Sequence, residues 1–130
     1  MRRLIRIFNA VVVALLKRGL PFPPYTRRSG LVIQTIGRRT GKPRLTPVGY
    51  RQEGNRVYVV AESRDADWVR NLRTHPRVTL YLHGRPVQAT AHLDLSDDPQ
   101  ARLERMRNRL HAAAHRARQR DPVTVVFTLS

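Results

Sequence analysis

The sequence predicts an α+β domain built on a small, mostly antiparallel sheet or barrel of about six strands. Short runs rich in β-branched residues recur along it, among them LVIQTI at 31–36, RVYVVA at 56–61, RVTLYLH at 77–83 and PVTVVFTL at 122–129. Glycine-bearing turns separate several of these runs at hairpin distances. Helical signatures are few: an amphipathic start, a short segment around Trp68, and a basic stretch before the last strand.

Residues 2–20 read as a helix with Leu4, Ile7, Phe8, Val11, Val12 and Leu15 on one face and Arg3, Arg6, Lys17 and Arg18 beside it. Pro21, Pro23 and Pro24 end that helix and stiffen the connector. Residues 1–24 are therefore expected to stand apart from a single domain over 25–130. Residues 31–36 form the first strand, 37–43 a turn, and 44–52 the second strand. Gly54-Asn55 turns the chain into a third strand at 56–61. Residues 66–73 suit a short helix, and 77–83 with 86–94 a hairpin about Gly84. Ser96-Asp97-Asp98-Pro99 is a helix start, with capping side chains and proline in the first turn. In the helix that follows, Leu103, Met106, Leu110, Ala113 and Ala114 share a face, and Arg102, Arg105, Arg109, Arg116 and Arg120 occupy the rest. Residues 122–129 close the sheet as its sixth strand.

Composition narrows the function. The 130 residues suit one domain, and 41% apolar residues supply one core. The absence of cysteine excludes a disulfide scaffold, a thiolate metal site and cysteine nucleophilic chemistry. Net charge is +16, from 25 basic and 9 acidic residues, and the first carboxylate along the chain is Glu53. Such a surface attracts an anion: nucleic acid, a lipid headgroup or a phosphorylated cofactor. The apolar run at 11–16 is too short to span a bilayer and lacks a cleavage site, so residues 1–20 either lie on anionic lipid or pack on their own domain or a partner subunit.

The densest chemical signal is GRRTGKPR at 37–44, between two strands. Two glycines permit a tight turn whose N–H groups can face a ligand, and Arg38, Arg39, Lys42 and Arg44 supply charge beside the Thr40 hydroxyl. It lacks the spacing and following helix of a Walker loop. The same residues also describe a solvated basic hairpin, and the two readings stay open here.

TIGRRTGKPRLTPVGY at 35–50, the VYVVA strand and ADWVRNLRTHPRVTL at 66–80 resemble the deazaflavin-dependent nitroreductases, the F420H2-dependent quinone reductase family. The resemblance runs from about Gly30 to Asp94 and more weakly into the last strand. It implies a flavin-reductase-like split β-barrel and an oxidoreductase using coenzyme F420, with FMN as the alternative cofactor. Hydride would pass from the reduced deazaflavin to a small-molecule substrate: a quinone, nitro compound or activated alkene. F420 carries a phosphodiester and a glutamate tail, so its charge complements the turn. By the family pattern Arg38, Arg39 and Thr40 touch phosphate and tail. Arg44, Leu45, Thr46, Pro47, Val48 and Gly49 run beside the cofactor. Val60, Ala61, Glu62 and Ser63 frame the ring, and Asp67, Trp68, Val69, Arg70 and Asn71 come from the tryptophan segment. Glu62-Ser-Arg-Asp65 replaces a Ser-Lys-Gly-Gly-like stretch, and no tyrosine lies in the 101–120 region. A cytoplasmic protein is expected, with a homodimer by analogy with other split barrels and peripheral contact with an anionic membrane through the basic, amphipathic residues 1–20 as further expectations.

Other groupings are weaker. His111 and His115 lie four apart but have no third ligand in register, so no metal is expected. Asp94, Asp97 and Asp98 precede Pro99 and read as helix-capping groups. Ser63-Arg-Asp65 has no nearby histidine to make a hydrolase triad. Ser63, Tyr50, Tyr58 or water are candidate proton sources. Two other function classes remain. One is a nucleic-acid binder, disfavoured by 6% aromatics and no recognition motif. The other is a non-catalytic barrel carrying a flavin, tetrapyrrole or lipid.

Overall fold

The structure is a computed structural model that describes residues 10–15, 17, 18, 30–105 and 120–130. Seven strands form one antiparallel sheet: β1 (Gly30–Ile36), β2 (Pro43–Gly49), β3 (Arg51–Glu53), β4 (Arg56–Ala61), β5 (Arg77–Leu82), β6 (Arg85–Asp94) and β7 (Val123–Leu129). Two helices interrupt them, α1 (Asp67–Thr74) and α2 (Pro99–Arg105). The spatial order is β2-β1-β5-β6-β7-β4-β3.

That order forces curvature. β2 and β3 are the two edges of the sheet, yet only Tyr50 separates them along the chain. The sheet must curl until its edges meet at this residue, which gives the split β-barrel. β6 assists the curl, because residues 85–90 pair with β5 and 89–94 with β7. The interior is one apolar cluster in which large and small side chains face each other: Phe127 lies opposite Ala91 on one side and Val57 on the other. Hairpin chemistry sets the registers. His83 and Gly84 both have positive φ, 52° and 79°, as a two-residue I′ turn requires, and Gly54 at φ 62° opens the β3–β4 turn.

One expected strand is therefore two. The 44–52 run does not continue along β1; after Gly49 the chain bends, Tyr50 buries its ring, and Arg51–Glu53 pairs with β4. Alternation in sequence cannot show a change of partner, so six expected strands become seven.

The start of the chain is helical at 10–15, as expected, but with a shifted face. Val12 and Val13 are buried against Val32 of β1, with Tyr81 packed beside them, whereas Val11 is 47% exposed. The Lys17 ammonium lies 4.5 Å from the Tyr81 ring centroid, one turn beyond Val13, and helps set this register. This packing favours the reading in which the helix covers its own domain. No helix among the described residues is long and apolar enough to cross a membrane. Leu4, Ile7, Phe8, the proline connector, the apolar face from Leu103 to Ala114, and His111 with His115 lie outside the residues whose side chains are described.

The acidic group before Pro99 divides its work. Asp98 Oδ1 accepts from the N–H groups of Gln100 at 3.0 Å and Ala101 at 3.3 Å, which is an N-cap. Asp94 Oδ1 accepts from the Ser96 hydroxyl at 2.6 Å, which holds its carboxyl below the usual carboxylate range. Asp97 does not cap. It takes both Arg102 Nε (2.7 Å) and Nη2 (3.0 Å), and its Oδ2 also accepts the Thr124 hydroxyl at 2.7 Å. The Arg102 guanidinium lies 4.0 Å from the Tyr58 ring centroid, so this network pins α2 to β4 and β7.

Replacing Asp97 by Ala strands Arg102 and Thr124, and is expected to destabilise the fold by about 3 kcal/mol. Asp98→Ala should cost about 1 kcal/mol, the cap alone. Equal losses in urea denaturation would contradict this division. A second expectation concerns alkali. Burial pushes the Tyr50 hydroxyl up to about 12. Because the folded value is the higher one, the stability it confers is full below the unfolded value near 10 and is lost as pH rises towards about 12. Tyr50→Phe should flatten that alkaline decline, and a decline as steep as in the native chain would refute the assignment.

Candidate functional site

The turn between β1 and β2 closes on itself. Gly37 N–H donates to the Lys42 carbonyl and Gly41 N–H to the Gly37 carbonyl, both at 2.8 Å, while Lys42 N–H reaches Thr40 Oγ1 at 3.2 Å. The compactness depends on Gly37: a Cβ there would lie 2.8 Å from Thr40 Oγ1 and 3.3 Å from the Lys42 carbonyl oxygen. Gly41 serves a different purpose, a φ of +72° with open space around it.

Helix α1 forms the opposite wall. Val69 and Leu72, three apart, are buried in the barrel core and dock the helix. Helical geometry then turns Asp67, Trp68 and Asn71 towards the turn. Asn71 is 4% exposed, and its Oδ1 accepts two hydrogen bonds from Arg38, from the backbone N–H at 3.1 Å and from Nη1 at 2.9 Å. Arg38 Nη2 pairs with Asp67 Oδ1 at 3.2 Å. Arg39, Lys42 and Arg44 are exposed, and among the described residues none has a side-chain hydrogen bond or ion pair. The N–H groups of Arg39 and Thr40 likewise have no protein acceptor among the described residues.

Between turn, β2 and α1 lies a cleft of about 760 Å³, lined by Gly37, Arg38, Arg39, Thr40, Pro43, Arg44, Leu45, Thr46, Asp67, Trp68 and Asn71. That volume suits a sizeable small molecule. The Trp68 ring serves two purposes: it is half-buried, packing on the core with one side and walling the cleft with the other.

Nine residues singled out from the sequence thus come together: Arg38, Arg39, Thr40, Arg44, Leu45, Thr46, Asp67, Trp68 and Asn71. Pro47, Val48, Gly49, Val60, Ala61, Glu62, Ser63, Val69 and Arg70 do not line this cleft. Val69 is fully buried and Ala61 nearly so, both inside the barrel core. The segment at 62–64 is tied elsewhere, with Arg120 N–H on the Glu62 carbonyl at 2.9 Å and Arg64 paired to Asp121 at 3.3 Å. Gly37 and Pro43 line the cleft without having been singled out as ligand-binding positions; the signal for Gly37 was its place at the start of the turn.

Gly37→Ala should loosen the turn by forcing Thr40 Oγ1 off the Lys42 N–H, seen as faster amide hydrogen exchange at Gly41 and Lys42. Gly41→Ala should leave that exchange pattern in place while costing about 1 kcal/mol for its left-handed backbone. The same exchange pattern in both variants would contradict the distinction.

The family model of F420H(2)-dependent quinone reductase matches residues 17–129. An F420H(2)-dependent quinone reductase of Mycobacterium tuberculosis strain H37Rv is 29% identical over 104 residues, covering 74% of this chain and 70% of that protein. An F420-H2 dependent reductase structure aligns with TM-score 0.56 at 19% identity, over 76% of this chain and 94% of that one. The heme storage protein HutZ of Vibrio cholerae aligns with TM-score 0.59 at 16% identity, over 79% and 82%. The two structures share the fold, and the family match covers nearly the whole chain. The chain belongs to the F420H(2)-dependent quinone reductase family.

Proposed function

We propose that the 37–44 turn, β2 and the cleft face of α1 hold the anionic part of F420H2, and that the enzyme reduces a quinone, nitro compound or activated alkene there. Membership in the family makes the chain an F420H2-dependent oxidoreductase. The observation that carries the site assignment is the donor set. Two cations, Arg39 and Arg44, and the N–H groups of Arg39 and Thr40, none of which has a protein partner among the described residues, border a cleft with an apolar wall of Pro43, Leu45 and Trp68, and Lys42 adds charge from the same turn. Leu45 is 40% exposed and lines the cleft, where it offers cover to a flat ring. A phosphodiester with a carboxylate tail fits the charged side, and the residues present therefore fit the cofactor.

When bound, reduced F420 supplies a hydride, and one proton completes the conversion of a quinone to its hydroquinone. The chain's own part is orientation and charge. Arg39 and Arg44 would neutralise the anion, and Trp68 with Leu45 would give a flat ring an apolar wall to lie against. Tyr50, Tyr58 and Ser63 do not line the cleft, and the Tyr50 hydroxyl lies 3.4 Å from His83 Nε2 at the barrel corner. Water in the open cleft is the proton source that fits this arrangement. A homodimer belongs to the same proposal; one structural relative, aligned with TM-score 0.58, is a domain-swapped dimer.

Fluorescence titration with F420, repeated at raised salt, tests the assignment. Binding should weaken as salt screens the cations. Arg39→Ala combined with Arg44→Ala should weaken it by at least about tenfold while circular dichroism stays native. Failure of the native chain to bind F420, or unchanged affinity in the double variant, would overturn it.

A further inference from the structure

We propose that Arg38 is a strut of the anion site and not one of its ligands, and that Asn71 is the residue that positions the turn through it. This rests on the reading of the cleft as the F420 site. The four basic residues of the turn look equivalent in sequence, but the structure separates them. Arg38 is turned into the protein, its side chain only 18% exposed, whereas Arg39, Lys42 and Arg44 are exposed. Two of its three guanidinium nitrogens are held by α1, Nη1 by Asn71 Oδ1 at 2.9 Å and Nη2 by Asp67 Oδ1 at 3.2 Å. A carboxylate sits beside its charge before any ligand arrives, and three of its five N–H donors are already directed at α1.

Asn71 holds more than the side chain. The same Oδ1 accepts the Arg38 backbone N–H at 3.1 Å, so one buried oxygen fixes both main chain and side chain of the second turn residue. Asparagine suits this task because its oxygen accepts two hydrogen bonds without bringing a second negative charge to an anion site. Asp67 is 87% exposed, so its pairing with Arg38 is strongly screened and holds the turn less firmly than Asn71 does. With Arg38 N–H committed, the next two N–H groups, those of Arg39 and Thr40, have no acceptor among the described residues and are left to meet a ligand, in a cleft that Arg39 and Arg44 also line. Asn71 thus touches no reacting group in this assignment, and its effect reaches the ligand through Arg38.

A double-mutant cycle with F420 as the probe decides the matter. Asn71→Leu, Arg38→Met and the double variant are titrated by fluorescence across a range of salt concentrations, with Arg39→Met as the reference for loss of a ligand cation. If Arg38 is a strut, Asn71→Leu and Arg38→Met each weaken binding about tenfold, and the double variant is no worse than either. The salt dependence of affinity in Arg38→Met then stays parallel to that of the native chain, because no ligand-facing charge has gone, while Arg39→Met flattens it. Losses that multiply in the double variant, or a salt dependence flattened by Arg38→Met as much as by Arg39→Met, would overturn the assignment. Should Asn71→Leu fail to fold, the salt dependence of Arg38→Met alone still decides. A native chain that does not bind F420 at all overturns the parent reading as well, and is told apart by that result.

Discussion

The corner at Tyr50 is the constraint on which the rest of the structure depends. Two strands joined by a single residue occupy opposite edges of a seven-stranded sheet, and only a curled sheet allows both. Curling creates an interior, and the interior selects its side chains: valines and leucines along most strands, alanines on β6 where Phe127 needs room. It also brings β1 under α1, so that the turn following β1 and the exposed face of α1 meet across the cleft. The site is thus a consequence of closure. A flat sheet of the same strands would leave β2 with β1 at one side and β3 with β4 far from it.

Local features were legible in the sequence to the extent that their physics is local. Hairpins at Gly54 and Gly84 follow from positive φ, and the Asp98 cap from helix-end chemistry, and each lies where the sequence placed it. The features that escaped depend on partners far along the chain. Nothing between residues 44 and 52 indicates that pairing passes from β1 to β4 at Tyr50. Asp97 and Asp98 look alike in sequence, but Thr124, 27 residues away, distinguishes them. The apolar stripe at the start of the chain was read one residue off, because Val32 and Tyr81 fix which side is buried. In the cleft the residue types were readable, since arginines in a glycine turn between strands are a local pattern. Their division into held and free was not, because Asn71 is 33 residues from Arg38.

That division bears on how charge should be read in so basic a chain. A net +16 suggests a surface able to attract any anion, yet the acids present are not scattered at random against it. Among the described residues, Glu53, Asp67, Asp97 and Asp121 are each paired with one arginine: Arg51, Arg38, Arg102 and Arg64. Two of these pairs fasten a helix to something else, α2 to the sheet through Arg102 and α1 to the turn through Arg38. The arginines involved are therefore structural despite their charge. The first fifty residues contain no acid, so a carboxylate for the turn has to come from elsewhere in the fold, and among the described residues Asp67 reaches Arg38 alone of the turn cations. Arg39 and Arg44, which line the cleft with Leu45 and Trp68, have no carboxylate partner among the described residues. What distinguishes the cleft from the basic surface around it is this combination of fixed geometry, unmatched charge and an apolar wall, and none of the three alone would select a phosphorylated ring system over a polyanion.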